Sequence, residues 1–251
     1  HSVISGNAAY NGGGLYNQNG KITITNSTIS ENHAYNGGVL INVEGVAILN
    51  QVTLSKNTAE DRGGAIYSYA INSAVHLTNV TISGNTAASG SGLYNFAGPV
   101  ELTHVTINNN PAVGVTYKAA VVLSLTDATF KNVIFQRTEN AGANCYISSV
   151  SMFISLGFNL SSDGSCPLDQ AGDRNNIDAM LGPLADNGGP SLTHLPRLGS
   201  PALDAGQCVA GLTTDQRGLP RLQGLACDIG AVERQPGDTV GFFIFLPLTS
   251  R

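Results

Sequence analysis

The sequence predicts an all-β protein, a parallel β-helix wound as a solenoid, and three observations predict it. The first is a phrase that returns at a nearly fixed interval. Val3-Ile4-Ser5-Gly6-Asn7, Thr28-Ile29-Ser30-Glu31-Asn32, Thr53-Leu54-Ser55-Lys56-Asn57, Thr81-Ile82-Ser83-Gly84-Asn85 and Thr106-Ile107-Asn108-Asn109-Asn110 place their asparagines 25, 25, 28 and 25 residues apart. A period of this kind marks one structural unit per coil, and a coil cannot bury its apolar side without neighbours. The second is a companion phrase, Gly12-Gly13-Gly14-Leu15, Gly37-Gly38-Val39-Leu40, Gly63-Gly64-Ala65-Ile66 and Gly90-Ser91-Gly92-Leu93, in which Leu15, Leu40, Ile66 and Leu93 keep step. The third is alternation of apolar and polar residues in short β-branched runs such as Val80-Thr81-Ile82-Ser83, with no sustained helical period in the first 135 residues.

Each element follows from these patterns. Val80 and Ile82 are expected to face inward, and Thr81 and Ser83 outward. The glycines supply positive backbone angles at the bend before the second strand. Stacking places residue i over residue i+25 at the roughly 4.8 Å spacing of neighbouring strands, running the same way. Asn7, Asn32, Asn57, Asn85 and Asn110 then fall in one column and are expected to form a side-chain amide ladder. Asn26, Gln51, Asn79, His104 and Asp127 form a second, polar column at another corner. After Asn110 the register weakens. Thr129-Phe130 is expected to continue the Thr-Ile column, with Asn132 near the corner.

The division expected along the chain is coils over residues 1–135, irregular last coils and a disulfide-bonded cap over 136–234, and a linker with an apolar tail strand over 235–251. Four cysteines, Cys145, Cys166, Cys208 and Cys227, lie in the second half without C-x-x-C spacing. They read as disulfides rather than zinc ligands, which favours an oxidising, extracellular compartment. Of the three connectivities open to them, Cys145–Cys166 and Cys208–Cys227 close local loops and are preferred. The turns in 186–190, 200–206 and 214–218 are expected to close the far end of the stack.

Composition excludes several partners. Charged residues make up 12% of the chain and the formal net charge is -5, which offers no attraction to nucleic acid or an anionic membrane. The run Phe242-Phe243-Ile244-Phe245-Leu246-Pro247-Leu248 is far short of the roughly 20 residues a spanning helix needs.

The phrases Gly63-Gly64-Ala65-Ile66 and Ile29-Ser30-Glu31-Asn32 resemble the GGAI and FxxN repeats of polymorphic outer-membrane proteins. The series Leu184-Ala185-Asp186-Asn187-Gly188-Gly189-Pro190, Ser200-Pro201-Ala202-Leu203-Asp204-Ala205-Gly206, Asp215-Gln216-Arg217-Gly218 and Cys227-Asp228-Ile229-Gly230-Ala231 resembles bacterial surface proteins of the "choice-of-anchor Q" type. The resemblance covers roughly residues 1–234. It implies a secreted or surface-attached right-handed β-helix and carries over no catalytic residue.

No catalytic constellation emerges from the residues. Polysaccharide lyases and hydrolases need clustered carboxylates, for calcium or for acid–base work. Here Glu31, Glu44, Glu60, Asp61, Glu101 and Asp127 scatter over different sides. His76 and Glu101 are 25 apart and should stack as an outward pair, which an exposed cross-strand contact explains. The denser charges of Asp186, Asp204, Asp215, Arg217, Arg221, Asp228 and Glu233 are explained by buried carboxylate–arginine contacts and turn capping. The columns Thr28/Ser30, Thr53/Ser55 and Thr81/Ser83 form a hydroxyl face that suits exposed strands. Neither cofactor nor metal is expected.

The two ends carry the functional expectation. His1-Ser2-Val3-Ile4 enters the repeat directly, and an uncovered coil edge templates association. The tail is apolar on both faces, Phe242, Ile244, Leu246 and Leu248 on one and Phe243 and Phe245 on the other, so it requires burial on both. A head-to-tail homo-polymer through Val3, Ile4 and the tail follows, since a heterologous contact builds filaments. The expected role is a non-catalytic extracellular filament or surface subunit supporting adhesion. The alternatives are a glycan-binding adhesin contacting cell-surface polysaccharide and a polysaccharide lyase or hydrolase.

Overall fold

The computed structural model describes residues 1–137 and 141–239. Every regular element among them is a strand, and all but the antiparallel pair Leu181–Ala185 and Thr193–Pro196 stack as a parallel β-solenoid of about six turns. One sheet carries Val3–Ser5, Lys21–Ser30, Val46–Ser55, Ala74–Ser83, Val100–Asn108, Asp127–Lys131 and Met152–Ser155 in that spatial order. A second stacks Leu15–Gln18, Leu40–Val43, Ile66–Tyr69, Leu93–Asn95, Ala119–Leu123 and Ala143–Ile147. A short third one pairs Ala8–Asn11, His33–Asn36 and Thr58–Arg62.

Register follows the sequence phrases. Ile4, Ile29, Leu54, Ile82 and Ile107 lie directly over one another. So do Leu15, Leu40, Ile66 and Leu93. From the second coil on, these columns form one continuous apolar core, to which Ile4 and Leu15 are only partly buried contributors. A fully buried side chain of this size contributes roughly 1.5–3 kcal/mol, so the columns supply most of the stabilisation of the stack.

The corners are made by residues in the left-handed region. The long strands turn in their middle at Asn26, Gln51, Asn79 and His104, with φ of 50°, 57°, 53° and 52°. At the next bend Gly63 has φ of +67°. A Cβ on Gly64 would collide with the backbone carbonyl of Ser91 in the coil beside it. That contact explains why the second phrase carries paired glycines.

Two register expectations are corrected beyond Asn110. Phe130 pairs with Leu102, and Phe135 takes the place over Ile107, so the Thr129-Phe130 phrase belongs to the neighbouring column. The corner under His104 is occupied by Asn132, with φ of 54°, rather than by Asp127. Asn132 Nδ2 lies 2.9 Å from His104 Nε2. The chain between 111 and 118 lengthens this coil, displacing both positions.

The far end and the flank are covered by different stretches. Cys145 is bonded to Cys166, which is buried with Leu168 in the main core. Phe153 stacks on Phe130 at 4.1 Å, so the last coil is filled by aromatic rings. The turns beyond residue 180 touch the last coils at Pro201, whose carbonyl accepts from Arg174 Nη1 at 2.8 Å, and at Ala202, which packs with Leu160. They run back along the flank as far as the third coil, where Gln51 Nε2 donates to the Asp215 carbonyl at 3.0 Å. The second disulfide, Cys208–Cys227, lies within this strap.

The hydroxyl face is accordingly not a free surface over most of its length. Thr53, Thr81 and Thr106 are buried. Gln216 sits between the first two, its Oε1 accepting from Thr81 Oγ1 at 2.6 Å and its Nε2 donating to Thr53 Oγ1 at 2.8 Å. Thr106 Oγ1 accepts from the Ala231 N–H at 3.0 Å. Outward hydroxyls serve as attachment points for the strap, because a buried polar surface is stable only against another that satisfies it.

Candidate stacking interface

The asparagine column is a ladder with a direction. Asn7 Nδ2 and its backbone N–H both reach Asn32 Oδ1, at 2.9 and 3.0 Å. Asn32 repeats this on Asn57 at 3.0 Å for each bond. Asn57 does so on Asn85 at 2.8 and 2.9 Å, and Asn85 on Asn110 at 2.9 Å twice. Each amide oxygen therefore faces the coil before it. At Asn110 only the carbonyl bonds remain, to Ile82 and Asn108, of the kind Asn32 also makes to Ile4 and Ser30, and the series ends.

A second, shorter ladder was not singled out from sequence. Asn17 Nδ2 donates to Asn42 Oδ1 at 2.7 Å, and Asn42 Nδ2 lies 3.4 Å from Ser68 Oγ. Asn17, Asn42 and Asn95 also close the next turn onto the carbonyls of Gly20, Gly45 and Gly98. The signal was present as the recurring third residue of Leu15-Tyr16-Asn17, Leu40-Ile41-Asn42 and Leu93-Tyr94-Asn95.

Both ladders arrive at the first coil with acceptors facing away from the stack. No donor among the described residues reaches Asn7 Oδ1 or Asn17 Oδ1. Beside them Val3 is 72% exposed, and Ile4, Leu15, Ile22 and Ile24 are half-buried. One coil further on, Ile29, Leu40, Ala47 and Leu49 in the same columns are fully buried. The edge thus presents unfilled apolar columns and amide acceptors in the spacing of the coil itself. The other half of the expected interface, Phe242, Phe243, Ile244, Phe245, Leu246 and Leu248, lies outside the described residues.

The remaining candidate residues are spread apart. His76 Nδ1 is 2.9 Å from Glu101 Oε2 on adjacent coils, on the solvent side and with no third ionisable partner among the described residues. Among the described residues, no group of three or more His, Cys, Asp or Glu is arranged to hold a metal ion. Asp215, Arg217, Arg221, Asp228 and Glu233 form the interior of the strap, whereas Asp186 and Asp204 are exposed. Arg217, completely buried, reaches Asp215 Oδ2 at 3.0 Å and Asp238 Oδ2 at 3.1 Å, and donates to the Glu233 carbonyl at 2.6 Å. Arg221 donates to Asn79 Oδ1 at 2.6 Å and lies 3.7 Å from Glu233 Oε2.

Burial governs the electrostatics here. It pushes the Asp228 carboxyl up to about 6, helped by Glu233 and Asp204, against N–H bonds from Arg234 and Asp204. It lowers the Arg221 guanidinium to about 10. It holds His104 neutral, well below the usual imidazole range, reinforced by the nearby Arg221 cation. His104 and Arg221 join the strap to the coils, through the Gly230 carbonyl and Asn79, whereas Asp228 braces the strap internally, accepting from the Asp204 and Arg234 N–H groups.

In comparison with known proteins, the Chlamydia polymorphic membrane protein repeat matches residues 51–69. That stretch runs from the corner at Gln51 through the ladder residue Asn57 to the strand Ile66–Tyr69. No curated protein and no solved structure matches the chain. No helix among the described residues is long and apolar enough to cross a membrane.

Proposed function

We propose that this chain is a non-catalytic structural protein of a cell surface, extended by the stacking of further coils on its first one. The observation that carries this reading is the edge at Val3–Ser5, where half-buried Ile4, Leu15, Ile22 and Ile24 meet the acceptor oxygens of Asn7 and Asn17. A coil of the same register completes the apolar columns and donates to both oxygens. Within a homo-polymer the docking element is the apolar run 242–248, and head-to-tail contact between unlike surfaces yields filaments that support adhesion.

The match over 51–69 supports a surface or outer-membrane association. So does the resemblance of the C-terminal series to surface proteins, and two disulfides suit an oxidising exterior. The test is sedimentation velocity and negative-stain microscopy of the 251-residue chain. Elongated multimers are expected, lost on Ile4→Lys and on deletion of 240–251. Multimers unchanged by the deletion remove the tail from the mechanism. A monomer at all concentrations overturns self-assembly.

A further inference from the structure

Two adjoining cavities, of about 600 and 440 Å³, open where the hairpin of Leu181–Ala185 and Thr193–Pro196 leans on the coils. They share Asn108, Asn109, Leu181 and Arg197, and so make one trough. Its floor is the outward column Ser83, Asn108 and Gln136, contributed by three successive coils. Lys56 stands on the coil side, Arg197 borders both cavities, and Asp178 lies at the far end.

Charge distinguishes this trough from the rest of the surface. Of the described Lys and Arg side chains, only Lys21, Lys56, Lys118 and Arg197 have neither an ion pair nor a hydrogen bond. Two of these four border the same trough, in a chain of net charge -5. An unpaired pair of cations over one concave site is a complement for an anionic group.

The floor is preset. His194 Nδ1 lies 2.8 Å from the Gly182 carbonyl, so it carries the proton. Its Nε2 then accepts from Ser83 Oγ at 2.9 Å and Asn108 Nδ2 at 3.1 Å. With its amide nitrogen so held, Asn108 keeps Oδ1 as an acceptor. The wall is notched at Gly84, where an added Cβ would touch only Lys56, at 3.9 Å or more.

We propose that this trough binds an acidic oligosaccharide, with a carboxylate under Lys56 and Arg197 and hydroxyls along Asn108 Oδ1 and Gln136, whose Oε1 also accepts the Ala179 N–H at 2.9 Å. Polar groups recur once per coil, at about 4.8 Å, whereas residues of an extended peptide advance by roughly 3.3 Å and fall out of step. The pyranose repeat of a sugar chain stays in step. Asp178, whose Oδ1 accepts the Met180 N–H, presents an acceptor for sugar hydroxyls and fixes the direction in which the acid end lies.

The experiment is calorimetric titration of the full chain with galacturonate trisaccharide, beside the neutral galactose trisaccharide. Saturable one-to-one binding of the acidic sugar is expected, weakening as salt rises, with little binding of the neutral one. Lys56→Gln and Arg197→Gln each weaken it at least tenfold, and Lys21→Gln, a cation with no partner elsewhere, leaves it unchanged. All three are exposed positions, and an unaltered unfolding midpoint shows that the fold is retained. Absence of binding, equal binding by the Lys56→Gln/Arg197→Gln double variant, or full displacement by equimolar inorganic phosphate overturns the assignment.

Discussion

The coils and the strap obey different rules in one molecule. Between Val3 and Gln136 the core and corner columns are placed largely by their own kind: isoleucine over leucine, asparagine over asparagine, glycine beside glycine. From residue 180 to 239 nothing repeats. Position is set there by individual contacts, such as Gln216 between Thr53 and Thr81, Arg217 between Asp215 and Asp238, and Arg221 on Asn79. The first arrangement distributes stability over columns in which any one member is replaceable by a similar residue. The second concentrates it in a few groups that have no substitute.

The largest effect is expected where that concentration is greatest. Arg217→Met leaves Asp215 buried without its cation and should cost about 3–5 kcal/mol. Loss of the strap before the coils, seen as a separate early transition in denaturant, would confirm that the two regions are held independently; a single transition would show them to be one cooperative unit. Leu77→Ala empties a fully buried column position and should cost about 2–5 kcal/mol, with the coil transition moving instead.

Asn57→Ala strips its partners on both sides in the ladder, at about 1–3 kcal/mol, whereas Asn7→Ala at the edge should cost clearly less. Equal costs, measured by chemical denaturation, would mean that the ladder does not act through its buried pairs.

Acidity separates the regions more finely. Asp228 has a folded value of about 6 against an ordinary 3.8, so the folded state takes up its proton first. Its ionised form weakens the strap above about pH 6, and this penalty is relieved as pH falls toward 4. His104 works oppositely: its folded value lies well below 6.5, so its contribution is complete above that pH and declines as acid protonates the unfolded chain. Asp228→Asn should therefore remove the part of the stability profile that rises with acid between 6 and 4, leaving the decline from His104; an unchanged profile would contradict the assignment. The smallest effect, under about 1 kcal/mol, is expected for Glu101→Gln, whose pairing with His76 is on the solvent side.

The coils were legible in sequence because stacking writes a period into the chain. The column from Ile4 to Ile107 and the ladder from Asn7 to Asn110 are visible as spacings alone. Reading stopped where the spacing did. Asp127 lies 23 residues after His104 and Asn132 lies 28 after it, and no asparagine phrase follows Phe135 to decide between them. The flank could not be read in this way. A threonine pointing outward has the same sequence signature whether it meets water or Gln216, which is 163 residues from Thr53. The one available hint was the set of charged residues around Asp215 and Arg217 in a charge-poor chain; it pointed to burial of those groups but not to what they are buried against.

The strap also acts as a counter of rungs. Its polar contacts engage Gln51, Asn79, His104 and Asn132 in consecutive coils, and each contact fits only at that height. Insertion of one more repeat between Gln51 and Asn132 would carry its neighbours about 4.8 Å out of reach of their partners. Repeats added ahead of Gln51 would disturb none of these contacts. Length can therefore vary by duplication on one side of the third coil, while on the other the number of turns is locked.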